Sequence, residues 1–414
     1  LLKNIITTLF SKGFVAIINL FILLVSSKQL GSDGRGHISL LLVNIAIVQI
    51  INEIYTGYAL VYFIPKNSLK RTYLFGLLWT VICTFICVAI MYILFTFFDV
   101  GDGEYWKHLF VLSFIVILHS FHMVIILAKE KIKIYNILNF IQPFILLTVL
   151  VISFFVLKNK NVFEYILALY VSFIIVLAIS SIQIINIFKT DSSINEFKPK
   201  KIITNGFYNQ LANLCHMLSN RYNFYLLGNT ILVGVYSSAT SLIESVWIIS
   251  NSVSPIILTY IANNKNPSIN ARLSFVLAKV CFVLSLICVV IIYFIPKDFF
   301  VFLLGEDFIH VKTVMLYLSP GILLISFATI ISHYFAGLGK QKVLLIANGA
   351  GLFTTICVSK YLISIDQLLG ASYAACLSYF TATVVLVVFF MKENKIKLTE
   401  FFNLKKDLAL LKKN

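Results

Sequence analysis

Residues 28–37 read KQLGSDGRGH, with Gly31, Gly34 and Gly36 inside six residues and Lys28 and Arg35 beside them. In a soluble α/β protein such a stretch cradles phosphate between a strand and a helix. Between two long apolar runs it is a turn at a membrane surface. Its flanks decide: apolar runs near 5–26 and 39–64 bracket it, and no strand precedes it. The order G-x-x-G-x-G also departs from the dinucleotide pattern. Turn chemistry then accounts for the glycines, with Gly permitting positive φ and Asp33-Gly34 favouring a tight reversal.

The whole chain repeats the character of those flanks. It is 60% hydrophobic and 12% charged, with a mean hydropathy of +0.95, whereas a soluble domain is about half apolar and about a quarter charged. A spanning helix needs about 20 apolar residues. Twelve runs qualify, near 5–26, 39–64, 73–97, 108–128, 135–157, 164–187, 201–227, 234–261, 273–295, 311–336, 342–364 and 369–391. Lipid offers no partners to backbone groups, so helices are expected, and the alternating strands of an outer-membrane barrel are absent. The first run is too long for a signal-peptide core.

Charge fixes the expected topology. Alternate segments collect Lys3, then Lys66, Lys70 and Arg71, then Lys129, Lys131 and Lys133, then Lys189, Lys198, Lys200 and Lys201, then Lys265 and Arg272, then Lys340 and Lys342, and finally a lysine-rich tail from Lys392. The other side holds only Lys28, Arg35, Lys107, Lys158, Lys160, Lys297, Lys312 and Lys360. The positive-inside rule puts both termini in the cytoplasm. The net charge of +16 is mostly this rim and tail, which suit an anionic inner leaflet, so no nucleic acid is needed to explain it. All seven cysteines fall within expected spans and none forms a CxxC pair; small core residues are expected, and neither a disulfide frame nor a metal site.

Shifted by about 197 residues, the chain partly overlays itself. KNIIT at 3–7 meets KKIIT at 200–204, ICVAIMY at 86–92 meets ICVVIIY at 287–293, and AKEKIKI at 128–134 meets GKQKVLL at 339–345, with offsets drifting from 197 to 211. The expected fold is therefore an all-α integral membrane protein of about twelve helices in two six-helix lobes, 1–187 and 201–391. A cytoplasmic linker at 188–200 joins them and a basic cytoplasmic tail follows at 392–414. An even number of helices per lobe makes the repeat parallel, as in one class of transporters.

Polar residues inside spans are costly, about 2.5–3.5 kcal/mol for a charge at mid-bilayer. The first helix carries Thr8, Lys12, Asn19 and Ser26 on one face, and the second Gln49, Asn52, Glu53 and Thr56. The seventh carries Asn205, Asn209, Asn213, His216 and Asn220 with Arg221 beside them, and the eighth Ser237, Ser241, Glu244 and Asn251. Helices one and seven are repeat mates, as are two and eight. A water-filled cavity between the lobes accounts for such paired stripes, and helix–helix hydrogen bonding is the plainer alternative. His119 and His122 share a face of the fourth helix with no third ligand in view, so packing is expected and metal binding is not. Pro143, Pro255 and Pro320-Gly321 fall inside spans and are expected to kink them. The tail alternates lysines with leucine and phenylalanine, as a surface-lying amphipathic helix does.

No HExxH, GxSxG or Walker loop is present, and the connections opposite the lysine-rich side are short. A non-enzymatic role without cofactor is expected. At this point several stretches carry a resemblance. KNIITTLFSKGFVAIINLFILLVSSKQLGSDGRGHISLL at 3–41, VGVYSSATSLIESVWIISNSVSPIILTYIA at 233–262, FLLGEDFIHVKTVMLYLSPG at 302–321 and YFAGLGKQK at 334–342 resemble, in order and spacing, the bacterial polysaccharide-repeat flippases of the O-antigen (Wzx) type. These belong to the multidrug/oligosaccharidyl-lipid/polysaccharide exporter superfamily. Two departures stand out: Asn223 replaces an aspartate common two residues after the seventh-helix arginine, and no proline lies at Tyr260.

The resemblance implies a bacterial inner-membrane flippase. Its substrate would be an undecaprenyl-diphosphate-linked oligosaccharide bound for O-antigen, capsule or exopolysaccharide. Membrane lipids, a coupling proton or sodium ion and a polymerase of the same pathway would be partners. On that basis Lys12 and Arg221 are candidates for the diphosphate, and Asn19, Asn52, Asn209, Asn213, His216 and Asn251 for the sugar. Glu53 and Glu244 are candidates for charge balance or ion coupling. A multidrug exporter of the same superfamily is the first alternative, with acidic residues expected to dominate its cavity; a membrane-embedded polymerase or ligase is the second.

Overall fold

The computed structural model describes the backbone of residues 2–98, 105–190, 197–264 and 266–394; of these, the side chains of 2–12, 98 and 190 lie outside the description. The described chain is helical throughout: α1 (Leu2–Thr56), α2 (Ala59–Phe63), α3 (Leu69–Phe98), α4 (Trp106–Ala128), α5 (Ile132–Val151), α6 (Val162–Thr190), α7 (Pro199–Leu226), α8 (Thr230–Glu244), α9 (Ile248–Asn263), α10 (Pro267–Phe294), α11 (Lys297–Leu304), α12 (Val311–Gly337), α13 (Gln341–Ile365) and α14 (Gln367–Asn394). The molecule is an all-α membrane protein of about twelve spanning helices, arranged as a repeated set of six. Among the described residues, ten helical stretches are long and apolar enough to cross a bilayer, one of them running from Gly13 to Lys66. α7 is not among the ten because its polar stripe lowers its hydropathy. The run expected at 234–261 is α8 and α9 joined by a short 3₁₀ turn at Ser245–Trp247.

The stretch at 28–37 is not the loop its composition suggests. Helix continues through it, and the only non-helical residue inside α1 is Gly31, at φ 69° and ψ −174°. Such a conformation is open to glycine and strained for other residues. Asp33-Gly34 makes no reversal; both lie in the first turn of the arm that follows Gly31. That arm is capped from far away in sequence: Asp307 Oδ2 accepts from the Ser32 backbone N–H at 3.1 Å and from its hydroxyl at 3.4 Å. One residue therefore performs the connection, and a distant carboxylate takes the orphan donors of a helix start.

Packing divides the chain into two compact units. The first comprises Leu1–Leu214, Arg221–Ala239 and Lys297–Lys312; the second comprises Cys215–Asn220, Thr240–Pro296 and Thr313–Asn414. In the first, Ile38, Leu41, Ile45 and Val48 of α1 pack on Leu112 and Ile117 of α4, Leu150 of α5 and Ile166 and Leu169 of α6. A separate cluster joins Tyr55, Leu60 and Ile64 to Phe121 and Ile125 of α4 and Ile202 of α7. In the second unit, Ile257 and Ile261 of α9 pack on Phe275 of α10, Ile331 and Tyr334 of α12 and Phe390 of α14. Outward faces stay apolar. Leu74, Leu78, Ile82 and Phe85 form an exposed stripe on α3, and Val283, Ile287 and Ile291 one on α10, as lipid rather than water requires.

Asn67 anchors the C-terminal end of the expected linker. Its side-chain carbonyl accepts the Lys198 N–H at 2.8 Å while its amide donates to the Phe63 carbonyl at 2.9 Å. Pro143, Pro255 and Pro320 sit inside continuous helices. The seven cysteines are free thiols, with Cys87 and Cys281 buried and Cys357 exposed. The basic tail lies outside the described residues.

Candidate functional site

The polar stripe on the second arm of α1 meets α4, α5 and α6 of the first unit around a chamber. Gln49, Asn52, Glu53 and Thr56 follow helical spacing, yet the neighbours divide them. Asn52 is fully buried and points into the helix packing, where its amide donates to the Val48 carbonyl at 3.0 Å and to Thr84 Oγ1 at 3.3 Å. Trp79 Nε1 donates to the Asn52 backbone carbonyl at 3.1 Å, so Asn52 pins α3 to α1. Glu53 and Gln49 turn the other way. Glu53 Oε1 accepts from the Gln49 amide at 2.9 Å and from the Ser120 hydroxyl at 3.2 Å.

The cavity beside them has a volume of about 360 Å³, and its polar lining is Gln49, Glu53, Tyr58, His119, Ser120, Tyr135, Asn139 and Gln142. Val116, Met123, Val124 and Phe173 complete the wall. Tyr58 and Tyr135 share a hydrogen bond between their hydroxyls at 3.2 Å, and the Gln142 amide donates to Ser172 at 3.3 Å. A second, apolar cavity of about 170 Å³ adjoins it, sharing Gln49, Val116 and Phe173 and adding Leu42, Ile45, Ala46, Leu112 and Leu169. The chamber thus grades from polar to apolar along α1 and α4. Among the described residues it offers one carboxylate, amides, phenols and an imidazole, and no lysine or arginine. That donor set suits an uncharged, hydroxyl-rich group or a cation, and it does not suit a phosphate.

The two histidines of α4 have different surroundings. His122 lies between Tyr73, whose hydroxyl is 2.9 Å from Nε2, and Ser180, 3.1 Å from Nδ1. His119 lines the chamber and reaches the same Ser180 at 3.5 Å. His333 bonds the Thr329 carbonyl of its own helix at 2.8 Å. Among the described residues, no three His, Cys, Asp or Glu side chains converge as a metal site.

Of the other residues singled out in the first unit, none with a described side chain lines the chamber beside Glu53. The Lys12 side chain lies outside the described residues. Asn19 is exposed beside Phe14, Ile17, Leu20 and Phe21. Asn209 is half-buried, and the exposed Asn213 donates to Gln210 Oε1 at 3.0 Å. Arg221 sits over the Phe224 ring at 5.3 Å and within electrostatic reach of Arg35. In the second unit, His216 is 3.4 Å from the Asn220 amide and its ring faces Trp247 at 6.5 Å. Glu244 there is half-buried and Asn251 exposed.

Two groups escaped the sequence reading. Tyr135, Asn139 and Gln142 follow the spacing of one helical face, a stripe on α5 that would have paired it with α1. Arg35 belongs to the stretch read as an outer loop; it is instead 8% exposed and hydrogen-bonded to the Tyr165 hydroxyl. No sequence signal marks that contact, because Tyr165 lies on α6.

No protein-family model matches the chain, and no curated protein matches it. Solved structures do. The chain resembles a structure of the lipid II flippase MurJ in an inward closed conformation, with a TM-score of 0.74 at 13% identity over 96% of this chain and 89% of that one. It also resembles an inward-facing multidrug resistance MATE family transporter of the MOP superfamily, with a TM-score of 0.67 at 14% identity over 92% and 94%. A Vibrio cholerae MATE transporter, VcmN, gives a TM-score of 0.69 at 12% identity over 97% and 98%. At these identities the likeness establishes the fold, which is the one shared by MurJ and the MATE transporters.

Proposed function

We propose that this protein is a transporter that moves a lipid-linked oligosaccharide across a bacterial inner membrane by alternating access, with lobes 1–187 and 201–391 as the moving bodies. The observation that carries the proposal is the chamber of about 360 Å³ around Glu53, a polar hollow inside an otherwise apolar six-helix set. A sugar head must cross about 30 Å of hydrocarbon, where hydroxyls without partners are costly. Amides, phenols and a carboxylate supply those partners, and the lipid tail stays in the bilayer. The name of the MurJ structure, a lipid II flippase, and the motif resemblance point the same way.

The described residues of the chamber wall include no lysine or arginine, so the carrier diphosphate is assigned to other residues. Lys12 and Arg221 are its proposed contacts, Arg221 by forked hydrogen bonds and Lys12 as a point charge. Asn209, Asn213 and His216 on α7 and Asn19 and Asn251 are proposed for the remaining sugars, and Glu53 with Glu244 for charge balance or for a coupling proton or sodium ion. Both termini are placed in the cytoplasm, where the lysine-rich surface faces anionic lipid. An inside-negative potential then favours outward movement of an anionic head by about 2.3 kcal/mol per charge per 100 mV.

A multidrug exporter is the second reading, favoured by a described wall that includes a carboxylate and neither lysine nor arginine. One experiment separates them. Expressed in a strain lacking its repeat-unit flippase, the chain should relieve accumulation of lipid-linked repeat on the cytoplasmic face. Lys12→Ala and Arg221→Ala should each restore most of that accumulation. Full activity in both variants removes them from the site. Drug resistance without any flippase rescue moves the protein to the exporter reading.

A further inference from the structure

Four side chains from three helices of the first unit join in one hydrogen-bonded row. His119 of α4 lines the chamber, and its Nδ1 lies 3.5 Å from Ser180 Oγ of α6. The same oxygen lies 3.1 Å from Nδ1 of His122, one turn along α4. The other ring nitrogen of His122, Nε2, lies 2.9 Å from the Tyr73 hydroxyl of α3. His122 thus uses both nitrogens, and each meets a hydroxyl. The row also leads somewhere. It starts at the chamber and ends in the second turn of α3, beside the exposed Lys70 and Arg71. Phe188, whose ring meets the Tyr73 ring at 5.2 Å, precedes the exposed Lys189. α4 runs on from His122 to Lys129, Lys131 and Lys133, so all three helices have their lysine-rich ends here.

Packing alone does not ask for this arrangement. Hydroxyls in apolar helices commonly bond a carbonyl one turn back. Thr56, Thr148 and Ser181 do so, the last on the Leu177 carbonyl at 2.7 Å. Ser180 reaches that carbonyl at 3.0 Å and also stands between two imidazoles. The middle of the row is dry, with Ser180 0% and His122 1% exposed. Imidazole takes up a proton on one nitrogen and releases one from the other near neutral pH, and ionisable groups inside membrane spans mark ion and proton routes. Glu53, Tyr58 and Tyr135 are the other ionisable groups among the described residues of the chamber wall beside His119. Tyr73 and His119 are those beside His122.

We propose that Tyr73, His122, Ser180 and His119 form a proton relay between the lysine-rich surface and the chamber, so that the coupling ion of this transporter is a proton. This rests on the transporter reading above. The Ser180 bond to Leu177 assigns the hydrogens. With its own hydrogen on that carbonyl, Ser180 Oγ accepts from His122 Nδ1–H, and His122 Nε2 accepts the Tyr73 O–H. In one passage, water protonates the Tyr73 oxygen as Tyr73 gives its proton to Nε2. His122 releases its Nδ1 proton to Ser180. Ser180 turns its hydrogen from Leu177 to Nδ1 of His119, and His119 releases a proton from Nε2 into the chamber. Each group gains one proton and loses one, and nothing is oxidised or reduced. The reverse passage runs the same bonds backwards and is the one that an exporter driven by proton entry needs.

The test uses the full chain in proteoliposomes with an entrapped pH-sensitive dye, lipid-linked oligosaccharide and an imposed pH gradient. Tyr73→Phe keeps the ring against Phe121 and Phe188 and removes the hydroxyl. Ser180→Ala leaves both histidines and cuts the row between them. Each should lower proton movement by about tenfold or more and abolish the acceleration of sugar translocation by the gradient. Translocation with equal pH on both sides should stay at the parent rate. His333→Gln, at a histidine that bonds its own helix, should change neither. Proton movement at the parent rate in Tyr73→Phe and Ser180→Ala overturns the relay. So does a parent protein that moves no protons, or one that a sodium gradient drives and a pH gradient does not. Equal losses with and without the gradient show a structural role and also overturn it. Tyr73→Phe decides alone where Ser180→Ala fails to fold. Protons moved by the parent and not by the two variants, with no sugar moved by any of them, keep the relay and overturn the substrate reading.

Discussion

Glu53→Ala should lower the initial rate of lipid-linked sugar translocation by about 10- to 100-fold, the equivalent of losing a charged hydrogen-bonding group worth about 1.5–3 kcal/mol. The loss has two parts. The one carboxylate among the described wall residues disappears, and the Gln49 amide and Ser120 hydroxyl lose the acceptor that now orients them at 2.9 and 3.2 Å. Glu53→Gln separates charge from hydrogen bonding. Its carbonyl oxygen can still accept from Gln49 or Ser120, so a wall that only binds hydroxyls should retain most of its rate. Equal loss in the glutamine and alanine variants would show that the negative charge itself is needed, as a coupling role demands. Unchanged rates in both would take Glu53 out of the transport path. Proteoliposomes with and without a pH gradient supply the measurement.

Gly370→Val should be the most damaging single change to folding in the second unit. A Cβ there would collide with the Leu362 carbonyl and lie 2.8 Å from the Ile363 nitrogen. These are backbone atoms at the turn between α13 and α14, and no side-chain rotation relieves the clash. Forcing bulk into such a contact costs about 1–3 kcal/mol or more. Gly349→Val, on the same hairpin, is the control: nothing lies within 4 Å of its added Cβ. Thermal unfolding in detergent should show a clear drop for Gly370→Val and little change for Gly349→Val. Matching midpoints would mean that the hairpin can splay, and that the glycine contact is incidental.

The spans were legible in sequence because hydropathy is a sum over about twenty residues and survives local detail. α7 was legible for the opposite reason, since its asparagines recur on one face although its hydropathy falls short of a span. The connection at 28–37 was not legible. Its turn-forming residues obey local chemistry in isolation, but Asp307 and α8 supply contacts that favour helix, and nothing in KQLGSDGRGH points to them. The candidate site was half legible. Glu53 stood out as a charge inside a span, whereas its companions Tyr135, Asn139 and Gln142 are ordinary membrane-helix residues one at a time. Asn52 shows the converse: the same stripe that carries Glu53 to the chamber carries Asn52 into helix packing, and four residues on one face do not all see the same neighbour.

Gly31 has a mechanical consequence. A ten-residue loop would act as slack, absorbing any swing of one helix before the next one felt it. A single glycine between two rigid arms is instead a crank pin, with one pair of soft torsions and no play. The arm from Gly31 to Thr56 is about 37 Å long at 1.5 Å per residue, so a turn of about 10° at the pin sweeps its far end through about 6 Å. Glu53 and the chamber wall ride near that far end, and Gly36 rides close to the pivot. A small rotation at Gly31 is thus geared into large travel where the sugar is proposed to sit, and stiffening this one residue would couple the two arms as a bar.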